Sequence, residues 1–244
     1  MKNGIGPALV LAVLVFIGAS VAPAGQTKQP IALPQPGVPQ VYTMEGKFVR
    51  AAYNNEGYVI LGYQATNRSV GEEWMLLDVG ITLREKMPSF KLTRDALSIE
   101  TPDGKTLPLP SVTEHRAGNT SALQNRAKVQ RDSINYFPPG ANRACRIGFF
   151  ADLDSPATPF DEVELSSDRA CLGRLYFHVP GGITYGQHWL NVKFQNSLVR
   201  VPFRILTDDA IRDEALAAGA SGFFHKSAAD ELIVAIRRIW TQST

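Results

Sequence analysis

Residues that commonly carry metal or proton-transfer chemistry are few in this sequence. The four histidines are His115, His178, His188 and His225, and no two of them have the i, i+4 spacing of a zinc-binding helix. If Pro180-Gly181-Gly182 turns the chain back on itself, His178 and His188 can face each other as a metal-binding or catalytic pair. The alternative is two separate histidines, each on the surface or in the core.

Motifs of the common catalytic sites are absent from the sequence. It contains no G-x-S-x-G turn of a serine hydrolase, no phosphate-binding loop and no dinucleotide-binding fingerprint. We therefore predict that the protein is not an enzyme and uses no cofactor and no metal.

Charged residues are concentrated in two neighbouring stretches. The acidic stretch 152–168 offers carboxylates of the kind that ligate Ca²⁺, but their spacing matches no calcium loop, and a solvated acidic loop is the alternative. The basic stretch 116–146 fits a site for an anionic partner or a solvated helix face. The two stretches can also face each other. Their members are Asp152, Asp154, Asp161, Glu162, Glu164 and Asp168, and Arg116, Arg126, Lys128, Arg131, Arg143 and Arg146.

The two cysteines, Cys145 and Cys171, are 26 positions apart and flank predicted strands. In an oxidising compartment an even pair is most simply a disulfide, which stabilises a chain by about 3 kcal/mol through loop-closure entropy. Two buried free thiols are the alternative.

The N-terminal segment has the features of an export signal. Lys2 precedes the apolar run Ala8–Ile17, and Ala22-Pro23-Ala24 has the small-x-small pattern that signal peptidase cleaves. We predict a signal peptide over residues 1–24, followed by a Pro-rich linker over residues 25–40. The apolar run spans ~15 Å as a helix, about half of a bilayer core, so we expect no permanent membrane span. An uncleaved anchor is the alternative, and the predicted location is periplasmic or secreted.

The overall composition is that of a folded chain with a hydrophobic core. Of the 244 residues, 44% are hydrophobic and 20% are charged, with a formal net charge of +2. This balance excludes a disordered chain, and it argues against a nucleic-acid partner, for which a basic excess is expected.

Between residues 41 and 206 the apolar residues follow a period of two, which is typical of strands. Turn residues such as Pro102-Asp103-Gly104 and Asn196-Ser197 separate the runs. The polar segment 111–133 is the exception and fits a helix capped by Asn119-Thr120-Ser121. We predict a mainly β fold, an immunoglobulin-like antiparallel sandwich over residues 41–206. The predicted strands are Tyr58–Tyr63, Trp74–Leu83, Leu97–Thr101, Leu107–Leu109, Cys145–Ala151, Leu172–Val179, His188–Phe194 and Leu198–Leu206.

After Leu206 the period changes to that of helices. We predict a helix over Asp208–Ala218, capped by Asp208 or Asp209, a short strand over Gly222–His225, and a second helix that begins after Ser227. The apolar stripe of the second helix consists of Leu232, Ala235, Ile236 and Ile239.

This tail, residues 207–244, resembles the end of a response-regulator receiver domain. The resemblance lies in Glu214–Ser227, with its Gly-Ala-x-Gly-aromatic-x-x-Lys core, and in the helix that follows. It implies that Lys226 is the lysine that pairs with a phosphorylated aspartate, that Phe223 is the aromatic switch residue, and that Thr207 is the hydroxyl that senses the phosphoryl group. The tail supplies at most the last two β/α units of a receiver.

We therefore expect an exported, non-catalytic binding or structural module with a truncated receiver-like tail. Its partner is an unidentified protein or an anionic ligand, and a sugar or peptide bound through Trp74, Trp189 and the basic stretch is a further possibility. The alternative is a divergent phosphorelay receiver protein, in which Asp78, within Leu76-Leu77-Asp78-Val79-Gly80, is the phosphoacceptor.

Overall fold

The structure is a computed structural model that describes residues 41–129, 132–151, 158–210 and 213. The predicted signal peptide (1–24) and linker (25–40) lie outside these ranges. So does the predicted tail, apart from residues 207–210 and 213.

The described part of the chain is mainly β, as the period-two pattern predicts. The pattern locates eight of the strands within a few residues, but it does not reveal the first two strands or the strands over Phe90–Thr93 and Glu162–Leu165. The first two contain two alanines as well as charged residues, and the other two have only four residues each, with charged residues among them. The strands are β1 Val41–Gly46, β2 Val49–Tyr53, β3 Gly57–Gly62, β4 Trp74–Leu83, β5 Phe90–Thr93, β6 Leu97–Glu100, β7 Thr106–Pro108, β8 Arg143–Ile147, β9 Glu162–Leu165, β10 Arg169–His178, β11 Gly186–Lys193 and β12 Leu198–Ile205.

The described helices are short. They are α1 Gln64–Asn67, α2 Val112–Ala117 and α3 Ser121–Val129, with a 3₁₀ turn over Arg94–Ala96. The helical segment predicted over residues 111–133 is therefore two helices, because the chain leaves the helical conformation at Gly118. A capping box starts α2: the Ser111 hydroxyl accepts from the Glu114 N–H, and the Glu114 carboxylate accepts from the Ser111 N–H.

The strands form three sheets. The largest has six strands in the order β1-β2-β3-β4-β10-β8, the second has four in the order β12-β11-β6-β7, and β5 pairs with β9. All neighbours are antiparallel except β8 and β10, which are parallel. The mainly β, largely antiparallel fold is therefore confirmed, whereas the immunoglobulin-like arrangement stays a prediction.

One apolar core joins the six-stranded and four-stranded sheets. Leu77, Val79 and Ile81 of β4 belong to the same buried cluster as Leu190 of β11 and Val201 of β12. Along β4, Leu77, Val79 and Ile81 alternate with Asp78 and Gly80, which is why a period of two is visible in that part of the sequence.

The six-stranded sheet has a second covered face, which we call the outer face. It carries Gly62 of β3, Asp78 and Gly80 of β4, and Arg174 of β10, which alternate with the core residues along each strand. β4 is buried on both faces, and every one of its residues after Trp74 is buried.

An irregular segment, residues 132–142, lies on the outer face, and we call it the strap. Ile134 of the strap packs with Val49, Ala51 and Ile60, and Phe137 lies against the same cluster. The strap therefore completes a small second core on the far side of the sheet.

Two glycines make room for the strap. A Cβ atom at position 80 would lie 2.7 Å from Cζ of Phe137, and one at position 62 would lie 2.6 Å from Cβ of Asp132. A glycine inside a strand commonly marks a close approach of another part of the chain, and here the approaching segment is the strap.

We predict that Gly80→Ala lowers the free energy of unfolding by about 1–3 kcal/mol, because the Phe137 ring must move out of a packed site. Urea denaturation measures the change. Gly46→Ala is the matched control, since a Cβ at position 46 meets Val49 at an ordinary 3.8 Å. Adding Phe137→Leu to Gly80→Ala should recover part of the loss. If Gly80→Ala costs no more than Gly46→Ala, the Phe137 ring does not pack closely on Gly80.

Candidate functional site

A charged group lies at the centre of the outer face. Strand register places Gly62, Asp78 and Arg174 in one row across β3, β4 and β10. Nε of Arg174 donates to Oδ1 of Asp78 over 3.3 Å, and the two side chains are only 6% and 3% exposed. The row thus contains a cross-strand ion pair that is removed from water.

This buried ion pair favours one register of the two strands more than it adds to the free energy of unfolding. Each ion has lost most of its hydration, and the attraction between them offsets that cost only while both are present. A one-residue slip of β4 against β10 would turn Asp78 into the apolar core. The pair therefore fixes the register of the two longest strands.

Asp132, at the start of the strap, adds a second carboxyl to this site. Its Oδ2 accepts a hydrogen bond from the backbone N–H of Gln64 over 2.8 Å. Burial raises the pKa of Asp132 to about 6; the Gln64 N–H opposes that rise and the negative charge of Asp78 adds to it. Asp132 therefore changes charge within the range of mildly acidic to neutral pH.

The Asp132 carboxyl can gain or lose a proton, and the contacts of this carboxyl also hold the strap against the sheet. A carboxyl whose pKa is shifted by burial and a specific charged neighbour is a recognised sign of a functional site, although structural ion pairs produce such shifts as well. Here Asp132 bonds to the backbone at the start of α1 and rests on Gly62. These contacts hold the strap in place.

The structure does not bring the predicted histidine pair together. His178 ends β10 in the six-stranded sheet, stacks 5.1 Å from Trp74 and lies 3.9 Å from Glu73. His188 lies in β11 of the other sheet, is fully buried against Phe203, and its Nδ1 is 3.1 Å from the Gly186 carbonyl. Burial lowers the pKa of His188, partly offset by that carbonyl, and favours the neutral ring. The structure therefore agrees with the alternative of two separate histidines.

His115 has a role that its sequence position does not indicate. It is buried on α2, with its ring 4.6 Å from that of Phe150 and 4.5 Å from that of Tyr176. Trp74 contacts its edge at 5.9 Å. These contacts pack α2 onto the outer face next to the ion pair.

The acidic and basic stretches face each other, but only in part. Asp168 accepts from Arg143 over 2.9 Å, while Glu162 and Glu164 pair with Lys91 and Arg169 over 2.5 and 3.1 Å. Arg126 of α3 pairs with Glu72 over 2.6 Å. These exposed pairs contribute little stability, but they use charges that a calcium ion or an anionic ligand would need. Asp152, Asp154 and Arg131 lie outside the described residues.

The predicted disulfide is confirmed. Cys145 of β8 and Cys171 of β10 are direct partners in the parallel register, with their Cα atoms 4.1 Å apart, and their sulfurs are bonded. The alternative of two free thiols is wrong. The bond ties the edge strand β8 to the strand that carries Arg174.

Of the tail residues named by the receiver resemblance, only Thr207 is described. It is exposed, and its hydroxyl accepts from the N–H of Ala210 over 3.1 Å, so that it caps a helix that begins at Asp208. The prediction that Asp208 or Asp209 is the cap is corrected, because Thr207 takes that place. Phe223 and Lys226 lie outside the described residues.

The two tryptophans proposed for sugar or peptide binding lie on different sheets. Trp189 of β11 is 5% exposed and is covered by the guanidinium of Arg200, 4.5 Å from its ring. Trp74 of β4 packs among His115, His178 and Gly118. They do not form one aromatic surface.

A second polar cluster, missed from the sequence, joins the two main sheets at one end. The buried carboxylate of Glu56, in the turn between β2 and β3, accepts from the Ser197 hydroxyl over 2.6 Å and from the Asn196 side chain over 2.9 Å. Burial alone would raise the pKa of Glu56, and these hydrogen bonds outweigh it, so the pKa is lowered. The cluster ties the β2–β3 turn to the β11–β12 turn.

Comparison with known proteins reveals no relative: no protein-family model, no curated protein and no solved structure matches this chain. In the part of the chain that the structure describes, no three His, Cys, Asp or Glu residues are grouped to hold a metal ion. Within the same residues, no helix combines the length and apolar content needed to cross a membrane.

We predict that Asp78→Asn lowers the free energy of unfolding by about 3–5 kcal/mol, because it leaves the Arg174 charge buried without its carboxylate. The double variant Asp78→Leu, Arg174→Met removes both charges and should recover most of that loss. Chemical denaturation of the set at pH 7.5 measures these values.

Asp103→Asn is the control for the Asp78 variants, since Asp103 forms an exposed ion pair with Lys105 at a turn, where little effect is expected. Equal losses in Asp78→Asn and Asp103→Asn would show that the buried pair constrains the fold no more than an exposed pair does.

Proposed function

We propose that this protein is an exported, non-catalytic binding or structural module, built on an immunoglobulin-like sandwich with a truncated receiver-like tail. The observation that carries the proposal is the disulfide between Cys145 and Cys171. Disulfides persist in oxidising compartments and are rare in the cytosol. The disulfide thus agrees with the export signal predicted over residues 1–24.

The non-catalytic part of the proposal rests on how the buried charges are used. Asp78 and Arg174 neutralise each other, Glu56 joins two turns, and Asp132 bonds to the chain at Gln64. Each of these groups is engaged in holding elements together, which is the arrangement expected of a scaffold.

A protein partner is better supported than an anionic ligand. Two members of the basic stretch, Arg126 and Arg143, already pair with Glu72 and Asp168. An anion would have to compete with those carboxylates, whereas a protein surface can use the exposed part of the sandwich without breaking them.

The phosphorelay alternative receives no support from Asp78. A phosphoacceptor must be reached by its donor and by Mg²⁺, beside further carboxylates. Asp78 is 2% exposed in the middle of β4 and is bonded to Arg174. The tail keeps its resemblance to a receiver as a proposal, without an acceptor in the sandwich.

Export and disulfide formation can be tested together by expressing the full chain in a bacterial host. We expect the protein in the periplasm as a chain that begins at Gly25, two hydrogens lighter than the reduced form, because the leader is cleaved and the thiols are oxidised. Intact-mass measurement before and after alkylation checks both points. The control is Ala24→Leu, which removes the small residue at the cleavage site and should yield an uncleaved chain.

A cytoplasmic chain that begins at Met1 with two alkylable thiols would contradict the proposal. So would a stoichiometric phosphate adduct, formed with acetyl phosphate and Mg²⁺ and lost in Asp78→Asn, since that adduct would support the phosphorelay alternative.

A further inference from the structure

The strap is fastened at one end by a single titratable side chain. The carboxyl of Asp132 accepts from the Gln64 N–H over 2.8 Å and occupies the space that a side chain at Gly62 would fill. Farther along, Ile134 and Phe137 pack on the sheet through apolar contacts, which do not depend on pH. The Asp132 contact is therefore the part of the strap that responds to protons.

The neighbour of this carboxyl is a second carboxyl. Gly62 is the direct antiparallel partner of Asp78, and Cβ atoms of such partners lie about 4.5–5.5 Å apart. The Cβ of Asp132 lies 2.6 Å from the Cβ position of residue 62, so its side chain takes a place next to Asp78. Arg174, on the far side of Asp78, is the partner of Asp78.

Among the described residues, β4 contributes the charged group next to Asp132, which is Asp78, and β10 contributes Arg174 as the partner of Asp78. The sequences of α1 and of the end of β3 next to Gly62 contain no charged residue, and Arg126 of α3 is directed to Ser69 and Glu72. Arg131, the preceding residue, lies outside the described residues. Ionisation of Asp132 therefore places a second negative charge beside Asp78.

We propose that the strap is a pH-responsive cover of the outer face, held closed while the Asp132 carboxyl is protonated and loosened when it ionises beside Asp78. An ionised Asp132 keeps its hydrogen bond to Gln64 but adds a second negative charge to a site with little water. Opening returns that charge to solvent and exposes Val49, Ala51 and Ile60, which Ile134 of the closed strap covers.

The direction of the pH dependence follows from the shift of the pKa. In the closed state Asp132 has a pKa of about 6, whereas the ordinary pKa of an aspartate is 3.8. The stabilisation of the closed strap is fully present below pH 3.8 and is lost as the pH rises through 6. Between pH 5.0 and 7.5, the opening equilibrium constant should rise about tenfold if open Asp132 titrates normally.

Hydrogen exchange of the Gln64 amide tests the proposal, since this N–H is bonded to Asp132 only when the strap is closed. In the full chain, NMR-detected exchange, corrected for the intrinsic pH dependence, should show the protection of Gln64 falling about tenfold from pH 5.0 to 7.5. The amide of Leu190, in the middle of the other sheet, reports global unfolding. Its protection should not fall together with that of Gln64.

Two variants complete the test. Asp132→Asn keeps an acceptor for Gln64 but cannot ionise, so the pH dependence of Gln64 protection should disappear. Asp95→Asn replaces an exposed aspartate on the 3₁₀ turn and should leave the pH dependence of Gln64 protection unchanged. Protection of Gln64 that is equal at both pH values, or a tenfold fall that persists in Asp132→Asn, would overturn the proposal. Neither outcome bears on export, which the mass measurement tests separately.

Discussion

Two opposite charges placed inside a sheet, away from water, constrain much of this molecule. The Asp78–Arg174 pair is tolerated only if both partners stay together and the outer face stays covered, because each charge alone would be expensive to bury. That requirement fixes the pairing of β4 with β10 and makes the strap part of the fold. The glycines at 62 and 80 follow from it as well, since any larger side chain would push the strap off the sheet.

The remaining features strengthen the same region. The disulfide ties β8 to β10, the strand that carries Arg174, and His115 packs α2 against Tyr176 of the same strand. At the far end, Glu56 holds the turns of the two main sheets together. A scaffold whose polar groups are used in this way suits a binding or structural module, which needs a rigid surface rather than a reactive centre. Asp132 is the exception, because its pKa of about 6 lets this carboxyl change charge between mildly acidic and neutral pH.

Sequence reasoning located what depends on local pattern and missed what depends on distant contacts. Trp74–Leu83 is a strand within its predicted bounds because Leu77, Val79, Ile81 and Leu83 recur at every second position. The disulfide was predictable because the predicted leader implies an oxidising compartment and the sequence contains two cysteines. Asp78 in the same strand looked like a receiver's acceptor, since its partner Arg174 is 96 positions away. Asp132 lies in a polar stretch with no periodicity, so nothing local places it beside Asp78.

Burial and the negative charge of Asp78 disfavour the ionisation of Asp132. The most direct test is an NMR titration of the Asp132 side-chain carboxyl carbon in the folded protein, from pH 3 to pH 8. The structure predicts a midpoint pKa of about 6. A midpoint at the ordinary value of 3.8 would show that Asp132 is solvated and that the strap does not rest beside the ion pair.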